Sequence, residues 1–255
     1  MKRRKFINAT LAVSALPLGC AANTATQKNS MEEEKELYEL RTYELKFGGN
    51  SKLLLSYLKN ALQPALKSVG VNHFMLFEEL GNADPKKIWV LISYPNSSIY
   101  LKAQNLSGNE AFQKSAEAYN KLPATKPIFN RYTSSLLLAF DGMPQMLVPQ
   151  SDAALFELRT YEGYNEDAVR RKIKMFNVEE FPLFNEVGLH PVFFGDVIAG
   201  PYRPALTYLL HFKNMAERDA NWKKFIAHPD WNAMKVKEEY LNTLSNIRKV
   251  FLKPI

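Results

Sequence analysis

The sequence predicts an α+β fold: two tandem ferredoxin-like (β-α-β-β-α-β) domains whose sheets face each other to form one α/β barrel. The first observation is an internal repeat. Residues 37–44, Leu-Tyr-Glu-Leu-Arg-Thr-Tyr-Glu, return at 155–162 as Leu-Phe-Glu-Leu-Arg-Thr-Tyr-Glu, an offset of 118 residues. Carried forward without a gap, the offset pairs Pro64 with Pro182, Val69 and Gly70 with Val187 and Gly188, Leu91 with Leu209 and Asn96 with Asn214. Self-similarity over such a span marks a duplicated structural unit. The second observation is the element order β-α-β-β-α-β, which gives an antiparallel sheet with both helices on one face. The third is that the strands are apolar on both faces, with Ile88, Val90 and Ile92 alternating with Trp89 and Leu91. Helices cover only one face, so the sheets either close on each other or each pairs with a second chain.

In the first copy, strict alternation over residues 37–44 makes a half-buried strand. Gly48, Gly49, Asn50 and Ser51 break it and cap a helix carrying Leu54, Leu55, Leu58, Ala61, Leu62, Ala65 and Leu66 at helical spacing. Pro64 is expected to kink that helix or begin its last turn, and Gly70 to end it. Strands over 71–78 and 88–94 flank a Gly81-to-Pro85 turn. A helical region over 97–121, broken near 107–109, precedes a fourth strand at 134–140. The second copy has strands at 155–161, 189–198, 206–212 and 249–252, and helices over 167–187, 216–226 and 229–244. The first domain is read as 37–140, the second as 153–255, and residues 141–152, with Gly142, Pro144 and Pro149, as the linker.

Residues 1–20 read as an export signal: Lys2, Arg3, Arg4 and Lys5 precede the apolar run 6–18, with Gly19 and Cys20 after it. The double arginine resembles a twin-arginine signal. Cys20, the sole cysteine, stands where a lipobox places its lipidated residue, although Pro17 replaces the usual leucine. The expectation is an exported protein, periplasmic or membrane-anchored through Cys20, with 21–36 as a polar tether; cleavage that discards Cys20 is the alternative. The net charge of +7 owes four units to the leader, leaving +3, and no basic stripe interleaves with aromatics. Nucleic acid is therefore set aside as a partner.

Residues 212–225, with Glu217, Arg218, Asp219 and Trp222, followed by His228, Pro229, Asp230 and Trp231, resemble the NIPSNAP family. The doubled first strand and the Val-Gly before each second strand belong to the same resemblance. It covers 37–255 and is tighter in the second half, since residues 97–112 lack the Glu-Arg-Asp run and the tryptophan. It implies the dimeric α/β-barrel fold and a family without a settled activity, associated with membranes and protein interaction. Cofactor-free monooxygenases and haem proteins share related barrels.

Alternation sets Glu39, Arg41, Tyr43, Glu157, Arg159 and Tyr161 opposite the apolar pairs Tyr38/Leu40 and Phe156/Leu158. If the apolar side meets the helices, the polar side looks into the barrel. These six, with His190 and His211, are then the candidate ligand-pocket residues. Three readings stay open: the Glu and Arg pair with each other as barrel structure, an Arg holds an anionic group while a Glu or Tyr moves protons, or the strand is an exposed edge. The four histidines form no His-x-x-x-His or Glu-x-x-His pair, so no metal is expected, and no cofactor. The absence of Gly-x-Ser-x-Gly and of a Gly-rich phosphate loop excludes those enzyme classes. The leading expectation is a barrel that binds a small molecule or a protein, as a single chain or a homo-oligomer. The alternative is a cofactor-independent oxygenase or isomerase acting on a hydrophobic molecule.

Overall fold

A computed structural model describes residues 34–81 and 84–255; the leader with Cys20, and the tether up to residue 33, lie outside the described residues. Eight strands, β1 (Leu37–Leu45), β2 (His73–Glu79), β3 (Lys87–Tyr94), β4 (Phe129–Ala139), β5 (Leu155–Glu162), β6 (His190–Ala199), β7 (Ala205–Phe212) and β8 (Asn246–Pro254), close into one barrel. The circular order is β1-β3-β2-β8-β5-β7-β6-β4. Strands β1 to β4 make one half and β5 to β8 the other. The halves join where Glu78 opposes Lys253 and where Ala139 opposes Gly195. The chain therefore closes its own barrel. At the second seam a Cβ on Gly195 would lie 2.7 Å from Leu137 Cβ, so only glycine lets β6 approach β4 there.

Each half carries its helices outside. The first has α1 (Ser51–Tyr57), α2 (Gln63–Ser68), α3 (Ser97–Ala103), α4 (Glu110–Ser115) and α5 (Glu117–Asn120). The second has α6 (Glu166–Met175), α7 (Phe181–Val187), α8 (Met215–Ala227) and α9 (Pro229–Met234). The repeat is legible in their ends. Asn96 and Asn214 both cap their helices, accepting from the Ile99 and Glu217 amides at 3.0 Å. Gly188 ends α7 at φ +78°, a left-handed position that favours glycine.

Neither proline simply kinks its helix. A π-helical turn, Leu58–Leu62 or Phe176–Glu180, stands just before Pro64 and Pro182. Proline cannot donate an amide and crowds the carbonyl four residues back, and a widened turn accommodates both effects without breaking the helix. Strand β4 starts at Phe129 and β8 at Asn246, earlier than 134 and 249. The added residues, such as Asn130, Arg131 and Arg248, are polar and exposed, which hides them from an apolar alternation. The helix expected over 229–244 is α9 followed by one 3-10 turn, Glu238–Tyr240, with Asn242 at φ +53° beyond it.

Residues 141–152 do more than link. The Leu147 amide bonds the Val192 carbonyl at 2.9 Å, and buried Met146 joins the barrel-interior cluster. Glu36, placed in the tether by sequence, is buried and accepts from the Met146 amide at 2.7 Å and Asn72 Nδ2 at 2.6 Å.

The faces of the strands are the main correction. Tyr38, Leu40, Phe156 and Leu158 pack in the interior cluster with Leu91, Leu137, Phe193 and Leu209. Tyr43 lies in the helix-side cluster of the first half with Leu54 and Leu58, and Tyr161 in that of the second with Phe176 and Phe184. Glu39, Arg41, Glu157 and Arg159 share that outward parity and face the helices. Alternation had grouped the residues correctly, but both faces of these strands are covered, so polarity did not tell inside from outside. Helices can supply hydrogen-bond donors to a buried carboxylate, whereas the barrel centre is filled by apolar packing.

Candidate functional site

The barrel interior is layered. At the floor, Tyr38 is level with Ser93 and Leu137, and Phe156 with His211 and Leu252. Rings fill this end, with Tyr38 to Phe193 at 5.0 Å and Phe77 to Phe156 at 4.9 Å between centroids. One layer up, Leu40 is level with Leu91 and Ser135, and Leu158 with Leu209 and Val250. Above it Thr42 is level with Trp89 and Thr133, and Thr160 with Thr207 and Arg248.

The upper two layers enclose a cavity of about 670 Å³ that opens at the barrel mouth. That volume lies inside the range of small-molecule sites, roughly 300–1,000 Å³. Its base is apolar, from Leu40, Leu158, Val197 and Val250. Its wall carries the hydroxyls of Thr42, Thr133, Ser135, Thr160 and Thr207, of which Thr160 and Thr207 bond each other at 2.9 Å. Trp89 donates from Nε1 to Glu79 at 3.1 Å. The rim holds Lys87, Arg131 and Arg248 beside Glu44 and Glu79. A smaller cleft of about 250 Å³ lies against α6 near Asp141 and Asp196; its Lys35 is held by Asp141 at 2.7 Å.

None of the eight residues expected to line a pocket lines this cavity. Six sit under the helices. Arg41 grips Glu39 through Nε at 2.6 Å and Nη2 at 2.8 Å, and Glu39 also accepts from Tyr94 at 2.7 Å and Ser134 at 2.8 Å. Burial opposes ionisation of Glu39, but the Arg41 bond and charge, with those hydroxyls, hold its carboxyl below the ordinary carboxylate range. Tyr43 packs on Phe129 and Tyr132, at 4.9 and 4.7 Å between centroids.

In the second half Glu157 is fully buried and accepts from Arg159 Nη1 at 2.8 Å, Arg218 Nε at 2.8 Å and Nη2 at 2.9 Å, and Trp222 Nε1 at 2.8 Å. Burial again opposes its charge, and the bond from Arg218 and the charges of Arg159 and Arg218 outweigh it, keeping the carboxyl low. Arg159 lies over the Trp222 ring at 4.5 Å, and the Tyr208 hydroxyl bonds that of Tyr161 at 2.7 Å. The Arg218 and Trp222 of the sequence resemblance thus meet the repeated strand at one carboxylate. The first half has Tyr100 and Gln104 at the matching positions, and Glu39 takes Tyr94 and Ser134 instead.

Beneath α6, Lys172 and Glu180 form a buried ion pair, with Lys172 Nζ 4.5 Å from the Phe176 ring centre. Burial pushes the Glu180 carboxyl up, against the pull of Lys172. At the same offset the first half holds Leu54 and Leu62, both buried.

His211 does face inward, as its parity with Thr207 and Leu209 implied, but not beside Arg159. It sits at the floor, roughly 13 Å along β7 from Thr207 at about 3.3 Å per residue, stacked on His190 with ring centroids 5.2 Å apart. Burial and His190 push its imidazole down to about 4, against Glu217 and Asp152, so it is neutral at pH 7. Among the described residues no group of three or more His, Cys, Asp or Glu could hold a metal ion. Sequence reasoning missed the pocket residues, although Thr42 and Thr160 stand inside the repeated motif as polar residues on its apolar face.

Solved structures similar to the barrel as a whole include two proteins whose names propose monooxygenases. One, from Lactobacillus acidophilus, is 11% identical over 87% of this chain and 94% of that chain, with a TM-score of 0.57. The other, from Fusobacterium nucleatum, is 10% identical over 86% and 92%, with a TM-score of 0.57. At these identities the likeness shows the fold. A NIPSNAP family protein of unknown function from Agrobacterium tumefaciens matches 42% of this chain and 94% of its own, at 17% identity and a TM-score of 0.37. No functionally curated protein matches the sequence. Residues 156–255, the half in which Arg218 and Trp222 close on Glu157, match the NIPSNAP family model.

Proposed function

We propose that this protein is a NIPSNAP-type barrel built of two tandem ferredoxin-like copies, and that it binds a small molecule in the mouth of the barrel. The carrying observation is the 670 Å³ cavity with an apolar base, a hydroxyl wall and a charged rim. The repeated Glu and Arg, by contrast, are bonded to each other and to helix or strand side chains. The reading as a cofactor-independent oxygenase or isomerase draws on the names of two fold relatives, at identities too low to carry chemistry. Filling the cavity tests the binding reading. In Thr160→Phe a ring replaces a wall hydroxyl, and native mass spectrometry of protein from its own host should lose the bound small-molecule mass of the parent. Retention of that mass contradicts the reading.

Export and anchoring belong to the same proposal and are supported by the basic, apolar and Gly19-Cys20 layout of residues 1–20. Cys20→Ser is expected to move the protein from the membrane to the soluble fraction. Unchanged membrane association counts against a lipid on Cys20.

A further inference from the structure

We infer that the ligand of the barrel mouth is an amphipathic organic anion, an acid group carried on an apolar body. This rests on the cavity being a binding site, and adds which chemistry it selects. The vertical order of the lining sets the pose. The deepest surface, Leu40, Leu158 and Val250, offers no hydrogen bond and suits a hydrocarbon or aromatic end. Thr160 and Thr207 bond each other, so the wall hydroxyls not tied to one another are Thr42, Thr133 and Ser135, on β1 and β4. A polar group along the ligand would face that wall.

The acid end is assigned by the rim. Three cations reach the cavity rim from inward-facing positions, Lys87, Arg131 and Arg248, whereas Lys249, level with Arg159, shares that residue's outward parity. Of these three, Arg248 is paired with Glu162 and Lys87 lies 3.9 Å from Glu79. Arg131 pairs with no carboxylate among the described residues. The Arg131 guanidinium uses Nη1 on the Asn130 carbonyl, at 2.7 Å. Its position on β4, two and four residues from Thr133 and Ser135, puts it above the hydroxyl wall. A guanidinium with donors to spare binds carboxylate, sulfate or phosphate oxygens in pairs. A neutral polyol would leave the apolar base unfilled, and a plain hydrocarbon would leave the rim without a counter-charge.

The test is calorimetric titration of the full chain with matched pairs that differ only in the acid: decanoate and decan-1-ol, 2-naphthoate and 2-naphthalenemethanol. The acid of at least one pair should bind at least tenfold more tightly than its alcohol. That preference should fall to less than threefold in Arg131→Ala, a change at an exposed position that leaves the core intact, and binding should vanish in Thr160→Phe. Equal binding of acid and alcohol, both lost in Thr160→Phe, overturns the anion assignment and leaves the cavity as the site. Acid binding that survives Thr160→Phe overturns both. Failure of all four probes at millimolar concentration overturns the assignment alone, since the native mass measurement judges the cavity separately.

Discussion

Lys172→Leu is expected to destabilise the protein by about 3–5 kcal/mol, and adding Glu180→Leu to restore or exceed the parent stability. The single change strands a buried carboxylate without its bonded counter-charge, leaving only the more distant Arg159 against its desolvation. The double change removes both charges and installs the pair that the first half already uses, Leu54 in α1 and Leu62 in the π-helical turn that follows it, at the positions matching Lys172 and Glu180. Replacing a buried ion pair by apolar residues of similar size is commonly neutral or stabilising by about 1–4 kcal/mol. The duplication thus serves as an internal control: the fold does not require charge at these positions. Urea denaturation of the parent, both single variants and the double variant measures the cycle. A double variant as unstable as the singles would show that the pair positions α6 and not merely itself.

Glu157→Gln should be costly for the opposite reason, because here the charge is what the surroundings were built to hold. Four donor contacts from Arg159, Arg218 and Trp222 converge on this carboxylate. An amide of the same shape leaves buried Arg159 without a counter-charge and turns a donor toward other donors. The loss is expected near 3–5 kcal/mol, a fall in Tm of roughly 6–20 °C for a chain of this size. The effect has a pH signature. The folded carboxyl is held below its ordinary value of 4.5, so its contribution is fully present above pH 4.5 and disappears as pH falls through the lower folded value. The gap between parent and Glu157→Gln should be constant from pH 7 down to about 5 and narrow below that. A gap that persists unchanged to pH 3 would mean that shape, not charge, sets the cost.

Both results bear on what the sequence could disclose. The 118-residue repeat, with its Asn96 and Asn214 pair, and the order of the elements were legible because each is local or self-similar. Inside against outside was not. A strand reports its two faces through alternation, and labelling them needs one face to be wet. In β1 and β5 both faces are buried, so Tyr38 and Leu40 looked like helix-facing residues when they fill the barrel. The π turns were invisible because Pro64 and Pro182 announce a disturbance without its form. The cavity was missed because its wall is made of single threonines and serines on otherwise apolar faces, a signal too weak to read without the partner strands beside it.

The helix motif and the strand motif also resolve into one feature. Arg218 and Trp222 lie in the half that matches the NIPSNAP family model, and both end on Glu157. The first half has the strand motif without that helix pattern, and Tyr94 and Ser134 are the further donors to Glu39. Common to both copies are a buried carboxylate–guanidinium pair on the first strand, tied to a helix only in the second half, and one threonine facing the other way.

The most direct test of this division uses two neighbours in the repeated motif, Thr160 and Tyr161, which face opposite sides of the same strand. Native mass spectrometry of the parent, Thr160→Phe and Tyr161→Phe, each purified from the host, compares them. The bound small-molecule mass should be lost in Thr160→Phe and kept in Tyr161→Phe. The reverse pattern, with the mass lost when the helix-side hydroxyl is removed and kept when the cavity is filled, would contradict that division.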